Sequence, residues 1–354
     1  MAYTTINDPS AHFHTEIYTG TGSSRDVTND ANAGNFKPDL IWFKNRNLTQ
    51  HHQMYDTNRG VTKKILPSLN YVQSTDTNAL TAFNTNGFTV GTNGALNANT
   101  DGLVAWQWIA NGGTTSTNTD GDINSTVQVN QDAGLSIITY TASGTTNHTI
   151  GHGLGVAPDV AIFKRLSDAG NWDVQHNAGN PGAVRVAYRH TLNLTDGTAT
   201  NVLSSFSSST IGLSTGGDAQ KNISGSDYVC YAFKAVQGYS AFGSYYGNAN
   251  ADGEFVYLGF KPALVIVKVL SDPNYGWVMA DNKRGPINEN EASVYANSNA
   301  TETTNDFNGD FLSNGFKLRG TSYPANSGGT NTFAYFAWAE NPFVTSTGVP
   351  TTAR

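Results

Sequence analysis

Phe36-Lys37-Pro38-Asp39-Leu40-Ile41-Trp42-Phe43-Lys44 occurs three times in this chain in recognisable form. It returns as Phe260-Lys261-Pro262-Ala263-Leu264-Val265-Ile266-Val267-Lys268 and, more worn, as Ala157-Pro158-Asp159-Val160-Ala161-Ile162-Phe163-Lys164. The surroundings repeat as well. Before the first copy stands Ile17-Tyr18-Thr19-Gly20, and after it come Asn86-Gly87-Phe88-Thr89-Val90 and Ala105-Trp106-Gln107-Trp108. The third copy has Tyr246-Gly247, Asn314-Gly315-Phe316-Lys317-Leu318 and Tyr335-Phe336-Ala337-Trp338, and the middle one Thr210-Ile211-Gly212-Leu213 and Cys230-Tyr231-Ala232-Phe233. From proline to last aromatic the separations are 70, 75 and 76 residues. That period is about one small domain, far longer than a solenoid repeat.

The apolar runs are short, rich in Val, Ile, Phe, Tyr and Trp, and bounded by Gly, Asn, Asp and Ser, and no long window carries helical periodicity. An all-β chain is expected: three tandem β-sandwich domains, jelly-roll-like, arising from internal duplication. The sandwiches are expected at 12–113, 133–237 and 238–345, with an N-terminal arm over 1–11, a polar linker over 114–132 and a C-terminal tail over 346–354. Continuous runs such as Leu40-Ile41-Trp42-Phe43 read as strands covered on both faces or lying at a domain contact. Val104-Ala105-Trp106-Gln107-Trp108 alternates large with small, as in a strand whose large side chains share one face. Units two and three join at Val236-Gln237-Gly238-Tyr239 almost without a spacer, which implies a rigid orientation.

Of 354 residues only 13% are charged, well under the usual quarter, and Gly, Asn, Thr and Ser fill the surface positions instead. This surface suits an extracellular or particle-bound protein. A net charge of −7 and a pI near 5.5 give no basic stripe, so nucleic acid is a poor partner. The first nine residues lack a basic region followed by an apolar one, so no secretory signal is expected, and no stretch approaches a membrane span. The single cysteine, Cys230, sits in an apolar run and reads as a buried small hydrophobe.

For chemistry, Met54-Tyr55-Asp56-Thr57-Asn58-Arg59-Gly60 matches Met279-Ala280-Asp281-Asn282-Lys283-Arg284-Gly285, an Asp three residues before an Arg with Gly next. Asp56–Arg59 and Asp281–Arg284 are expected to close loops by carboxylate–guanidinium pairs, with a turn needing φ > 0, or else to bind sugar hydroxyls. The second unit has Val174-Gln175-His176-Asn177 there and lacks the pair. Trp172 and Trp277 occupy one repeat position, filled by His52 in the first unit. They read as core or, alternatively, as sugar-stacking platforms. His12-Phe13-His14 and His51-His52 invite a metal reading, but no third ligand supports one, and no metal or cofactor is expected. There is no nucleophile elbow, P-loop or zincin helix, so no enzymatic activity is expected. Trp172, Trp277, His51, His52, Asp56, Arg59, Asp281 and Arg284 are the candidate binding residues.

Thr5-Ile6-Asn7-Asp8-Pro9-Ser10, the Phe-Lys-Pro and Asn-Gly-Phe strands, Val104-Ala105-Trp106-Gln107-Trp108 and the closing Glu340-Asn341-Pro342-Phe343-Val344-Thr345-Ser346-Thr347-Gly348-Val349-Pro350-Thr351-Thr352-Ala353-Arg354 resemble a repeat-domain family of virion structural proteins. Its members belong to tailed bacteriophages, notably of marine bacteria and cyanobacteria. The resemblance implies a structural component on the particle surface and supplies no catalytic residues. It leaves a tail-fibre or receptor-binding role in host attachment, a head decoration or cement role, and, more distantly, a glycan-processing enzyme. Expected partners are other virion proteins of tail or capsid and a host surface glycan, with neither nucleic acid nor membrane; a homo-oligomer is compatible. A fibre is usually a trimer held by coiled-coil or β-helical segments, and none is visible here. At least one of the two ends is expected to dock on a partner.

Overall fold

The computed structural model describes residues 2–30, 35–177, 188–195, 205–213, 221–321, 324–328 and 331–351. It is all-β, built of two-sheet sandwiches, and one strand order recurs in three units. In the large sheet of each unit an opening strand pairs with a closing strand, the closing strand with the proline-led strand, and that with a return strand. The opening strands are Phe13–Thr19, Leu135–Thr141 and Ser240–Tyr246. The closing strands are Gly102–Trp108, Asp227–Phe233 and Thr332–Pro342, and the proline-led strands Leu40–Asn45, Val160–Arg165 and Phe260–Val269. The return strands are Gln53–Asp56, Asp173–His176 and Trp277–Asp281. Register repeats too: Trp108, Phe233 and Trp338 lie opposite Leu40, Val160 and Leu264.

A smaller sheet covers one face of each large one. In the first unit Gly87–Val90 is its middle strand, between Arg25–Thr28 and Leu80–Asn84; in the third, Gly315–Leu318 lies between Phe255–Tyr257 and Gly309–Leu312. Among the described residues the second unit contributes His148–Gly151 and Thr210–Leu213.

Because side chains alternate along a strand, each proline-led strand serves two cores. Ile41 and Phe43, Ala161 and Phe163, and Val265 and Val267 face the interiors of their own sandwiches. Leu40 and Trp42, Val160 and Ile162, and Leu264 and Ile266 face the other way, into one apolar cluster shared by all three units. That explains the unbroken apolar runs: both faces are covered, one by the unit's small sheet and one by the neighbouring units. At the shared core Trp108, Phe233 and Trp338 meet, with ring centroids 5.3 Å (Trp108–Trp338), 5.4 Å (Phe233–Trp338) and 6.4 Å (Trp108–Phe233) apart. In the last part of each closing strand the large side chains, Trp106 and Trp108, Tyr231 and Phe233, and Phe336 and Trp338, therefore point at the other units, and the small Ala105, Ala232 and Ala337 at the sandwich. The units close into a ring about this aromatic triplet, and the core leaves a void of only about 20 Å³, roughly one water.

Two of the expected boundaries read differently in three dimensions. Residues 114–132 carry the strands Ser116–Asn118 and Ser125–Asn130, which extend the large sheet of the second unit. Alternation in Ser125-Thr126-Val127-Gln128-Val129-Asn130 is the pattern that the polar composition masked. The ends also fold back onto the third unit. Ile6 is buried in the shared core, the Thr4 hydroxyl donates to the Gln237 carbonyl at 2.7 Å, and Tyr3 Oη donates to the Gly259 carbonyl at 2.9 Å. Asn7 and Ser346 exchange two hydrogen bonds at 2.7 and 2.8 Å, so the two ends lie side by side.

Candidate functional site

Seven of the eight candidate residues lie at contacts between units, and they follow one rule around the ring. Asp56 and Arg59 form a buried ion pair, Nε to Oδ2 at 2.6 Å, and Asp56 Oδ1 accepts the Arg59 backbone N–H at 2.9 Å. From the second unit, Tyr231 Oη donates to the same Oδ2 at 2.7 Å. Burial, and then the Asp56 carboxylate, push the Tyr231 phenol well above its ordinary value, so it stays a donor. Asp281 and Arg284 repeat the pair at 2.5 Å, and here the donor is Trp106 Nε1 of the first unit at 3.0 Å. The Arg284 guanidinium also lies 5.3 Å from the Trp106 ring centroid.

Trp106, Tyr231 and Phe336 hold one repeat position, second in each closing quartet. Phe336 has no donor, and the residue of the second unit that it meets is His176, at 5.6 Å and 71° between rings. Burial lowers the His176 pKa to about 3, so a neutral imidazole faces the phenyl ring. The second unit therefore lacks the Asp–Arg pair where the aromatic that would satisfy a buried carboxylate has no hydrogen to give.

The two glycines after the arginines serve different ends. Gly60 has φ +91°, in the left-handed region that glycine enters at little cost. Gly285 does not; a Cβ there would come within 2.0 Å of Asn290 Oδ1, so it is needed for space. The expected turn with φ > 0 holds for the first copy and not the third.

Trp172 and Trp277 are fully buried and offer no platform to a sugar. Each indole spans a unit boundary: Trp172 Nε1 donates to the Leu66 carbonyl at 2.9 Å, and Trp277 Nε1 to the Thr191 carbonyl at 3.1 Å. His52, their counterpart, is also buried, accepts from Trp42 Nε1 at Nδ1 (2.8 Å) and lies near the backbone of Tyr295. Burial, and then Lys44, hold its pKa well below the ordinary value.

A third set was missed in the sequence. Lys44, Lys164 and Lys268 are buried, and each crosses to the preceding unit of the ring. Their ammonium groups donate to the carbonyls of Asn299 (3.4 Å), Asn70 (3.3 Å) and Thr195 (3.2 Å), besides carbonyls of their own units. Burial lowers Lys44 to about 8 and Lys164 to about 7. The recurring Lys at the end of each proline-led phrase was the available signal.

Of the remaining candidates, His51 is partly accessible. Its Nδ1 lies 2.9 Å from Ser68 Oγ, in a cleft of about 260 Å³ with Gln50, Gln53, Lys64 and Asn93. The two His pairs do not converge on a metal geometry. His12 packs on Tyr239 and His51 points away from His52. His14 Nε2 instead meets Glu16 at 3.1 Å and Asp30 at 3.2 Å, and the Lys283 ammonium already pairs with Asp30.

The third unit carries an exposed aromatic cluster. Tyr246, Phe255 and Tyr257, with Ser244, Glu254 and Tyr335, line a groove of about 260 Å³ in the third unit. It lies where the edge strand of the large sheet, Ser240–Tyr246, meets the edge strand of the small sheet, Phe255–Tyr257.

Residues 8–342 match the family described as domain of unknown function (DUF7483). The chain belongs to the DUF7483 family. The DUF7483 match spans all three sandwiches as one unit, in keeping with a core to which each contributes. No curated protein and no solved structure matches the chain.

Proposed function

We propose that this chain is a non-enzymatic structural protein of a bacteriophage particle, exposed on its surface, and that its task is host attachment as part of the tail-fibre or receptor-binding apparatus. The observation that carries the reading is the closed ring of three sandwiches around Trp108, Phe233 and Trp338. A fibre obtains threefold symmetry from three chains and needs a coiled coil or β-helix to hold them; this chain places three sandwiches about one axis by itself. The objection from the missing trimerisation segment then loses its force. The ring also directs seven of its eight chemically suggestive side chains into contacts between units, which supports a scaffold over a catalyst. Its sparsely charged surface suits a particle exterior.

The test is localisation on intact particles by cryo-electron microscopy with an antibody to the chain, together with competition for adsorption by the purified protein. Density at the tail and reduced adsorption are expected. Density confined to the head would overturn the attachment reading in favour of capsid decoration.

A further inference from the structure

We propose that the groove at the open edge of the third sandwich is a carbohydrate subsite that takes a neutral hexopyranose, a proposal that rests on the attachment reading and names its ligand. Four aromatic side chains are exposed among the described residues, Tyr71, Tyr246, Phe255 and Tyr257, and three of them line this one groove. They are 45%, 39% and 56% exposed for Tyr246, Phe255 and Tyr257.

The fold does not require them. Val256 opposite Phe316 repeats Val27 opposite Phe88, so Phe255 and Tyr257 stand where the first unit has Asp26 and Thr28. Tyr245 opposite Phe333 repeats Tyr18 opposite Leu103, so Tyr246 stands where the first unit has Thr19. Asp26, Thr28 and Thr19 are exposed on the same backbone geometry. One copy thus builds these edge strands with polar residues, and another replaces three of them with rings that water solvates poorly. Phe255 and Tyr257, two residues apart, share one face, and Val256 between them anchors the strand in the sandwich core. The N-terminal arm holds the rim: Tyr3 Oη lies 3.2 Å from Tyr257 Oη and donates to the Gly259 carbonyl.

The lining fixes the ligand class. Aromatic faces stack on the C–H face of a pyranose, the Tyr246 and Tyr257 hydroxyls are hydrogen-bonding groups at the rim, and the Glu254 carboxylate accepts from sugar hydroxyls. Among the described residues no Lys, Arg or His lines the groove, so an anionic sugar would meet Glu254 without compensation. At about 260 Å³ the groove falls just under the roughly 300–1,000 Å³ of sites that enclose a drug-sized molecule, and so fits one ring with the rest of the glycan in solvent.

The experiment uses the full chain and the double variant Phe255→Asp/Tyr257→Thr, which installs the residues the first unit carries at these positions. Both are tested on an array of neutral hexose oligosaccharides and their sialylated counterparts. The best neutral ligand is then titrated by calorimetry, and adsorption competition is run in parallel. We expect neutral ligands to bind, the variant to lose at least tenfold in affinity, and its melting temperature to stay unchanged. Undiminished binding by the variant, or preference for sialylated glycans, overturns the subsite and leaves attachment standing. Blocked adsorption without glycan binding does the same. Failure of the wild-type chain in both assays overturns subsite and attachment together. A Glu254→Gln variant provides a second reading should the double variant misfold: a weakened neutral ligand supports the subsite, and an unchanged one counts against it.

Discussion

Replacing Tyr231 by Phe removes one oxygen from the middle of the ring and nothing else. In the folded chain that oxygen donates to Asp56 Oδ2 at 2.7 Å, across the boundary between the first and second units, at a residue with no exposed surface. Asp56 keeps its 2.6 Å bond from Arg59 Nε and the Arg59 backbone N–H but loses its third donor, and Arg59 Nη2 loses a 3.4 Å acceptor. A hydrogen bond to a charged group contributes about 1.5–3 kcal/mol, and the missing hydroxyl adds little cavity cost. We therefore expect a loss of about 2 kcal/mol, read as a lower urea midpoint at unchanged slope, with tryptophan fluorescence and far-ultraviolet circular dichroism moving together. The transition should stay single because three units share one core. In a double-mutant cycle with Asp56→Asn, the coupling should fall between about 0.5 and 3 kcal/mol. A loss below about 0.5 kcal/mol, or no coupling, would refute the idea that the carboxylates join neighbouring units. So would a second transition in the wild-type chain.

The buried lysines give stability a pH dependence of definite sign. Lys44 at about 8 and Lys164 at about 7 lie below the ordinary 10.5, so from there up to 10.5 the unfolded chain binds more protons than the folded one. Stability should rise with pH across that window, by about 1.4 kcal/mol per pH unit for each lysine, until the buried tyrosines oppose it above about pH 10. Urea midpoints at pH 7, 8 and 9, with Lys164→Met flattening the trend, check this; a falling wild-type trend contradicts it. Ile6→Ala removes a side chain of the N-terminal arm from the shared core and should cost about 2–4 kcal/mol. A cost under about 0.5 kcal/mol in the same denaturation experiment would mean that the arm is not seated in the shared core. Cys230 is buried and its thiol is pushed well above the ordinary value by that burial, so a thiol reagent at pH 8 should label it only on unfolding. Full labelling within minutes under native conditions would count against the packing of the second unit.

Sandwich strands were legible because their signals are local. Alternation, Gly-Phe strands and the Pro-led apolar run give strand and turn without knowledge of the rest of the chain. The continuous run Leu40-Ile41-Trp42-Phe43 even announced a second covered face. What covered it was not legible, since the partners of Leu40 and Trp42 come from units more than a hundred residues away. The strand Ser125–Asn130 was lost in a Thr/Asn-rich stretch whose outward positions are polar. The Asp–Arg pairs were placed correctly as loop-closing pairs, but their third partner was not. Trp106, Tyr231 and Phe336 were visible at one repeat position, as was the absence of the pair in the second unit; only the ring connects the two facts. Trp172 and Trp277 were rightly weighed as core, and the sugar platform drawn on them fails because both rings are buried. The exposed rings, Tyr246, Phe255 and Tyr257, sit in strands that read as ordinary repeat positions until compared with Thr19, Asp26 and Thr28.

Small-angle X-ray scattering of the full chain in solution measures the closure of the ring directly. A compact body of 354 residues has a radius of gyration of about 20–21 Å, and three sandwiches joined as an extended string would give about 30 Å. The shared core predicts the smaller value, with a single-peaked distance distribution. A radius near 30 Å with separate peaks for neighbouring sandwiches would contradict it.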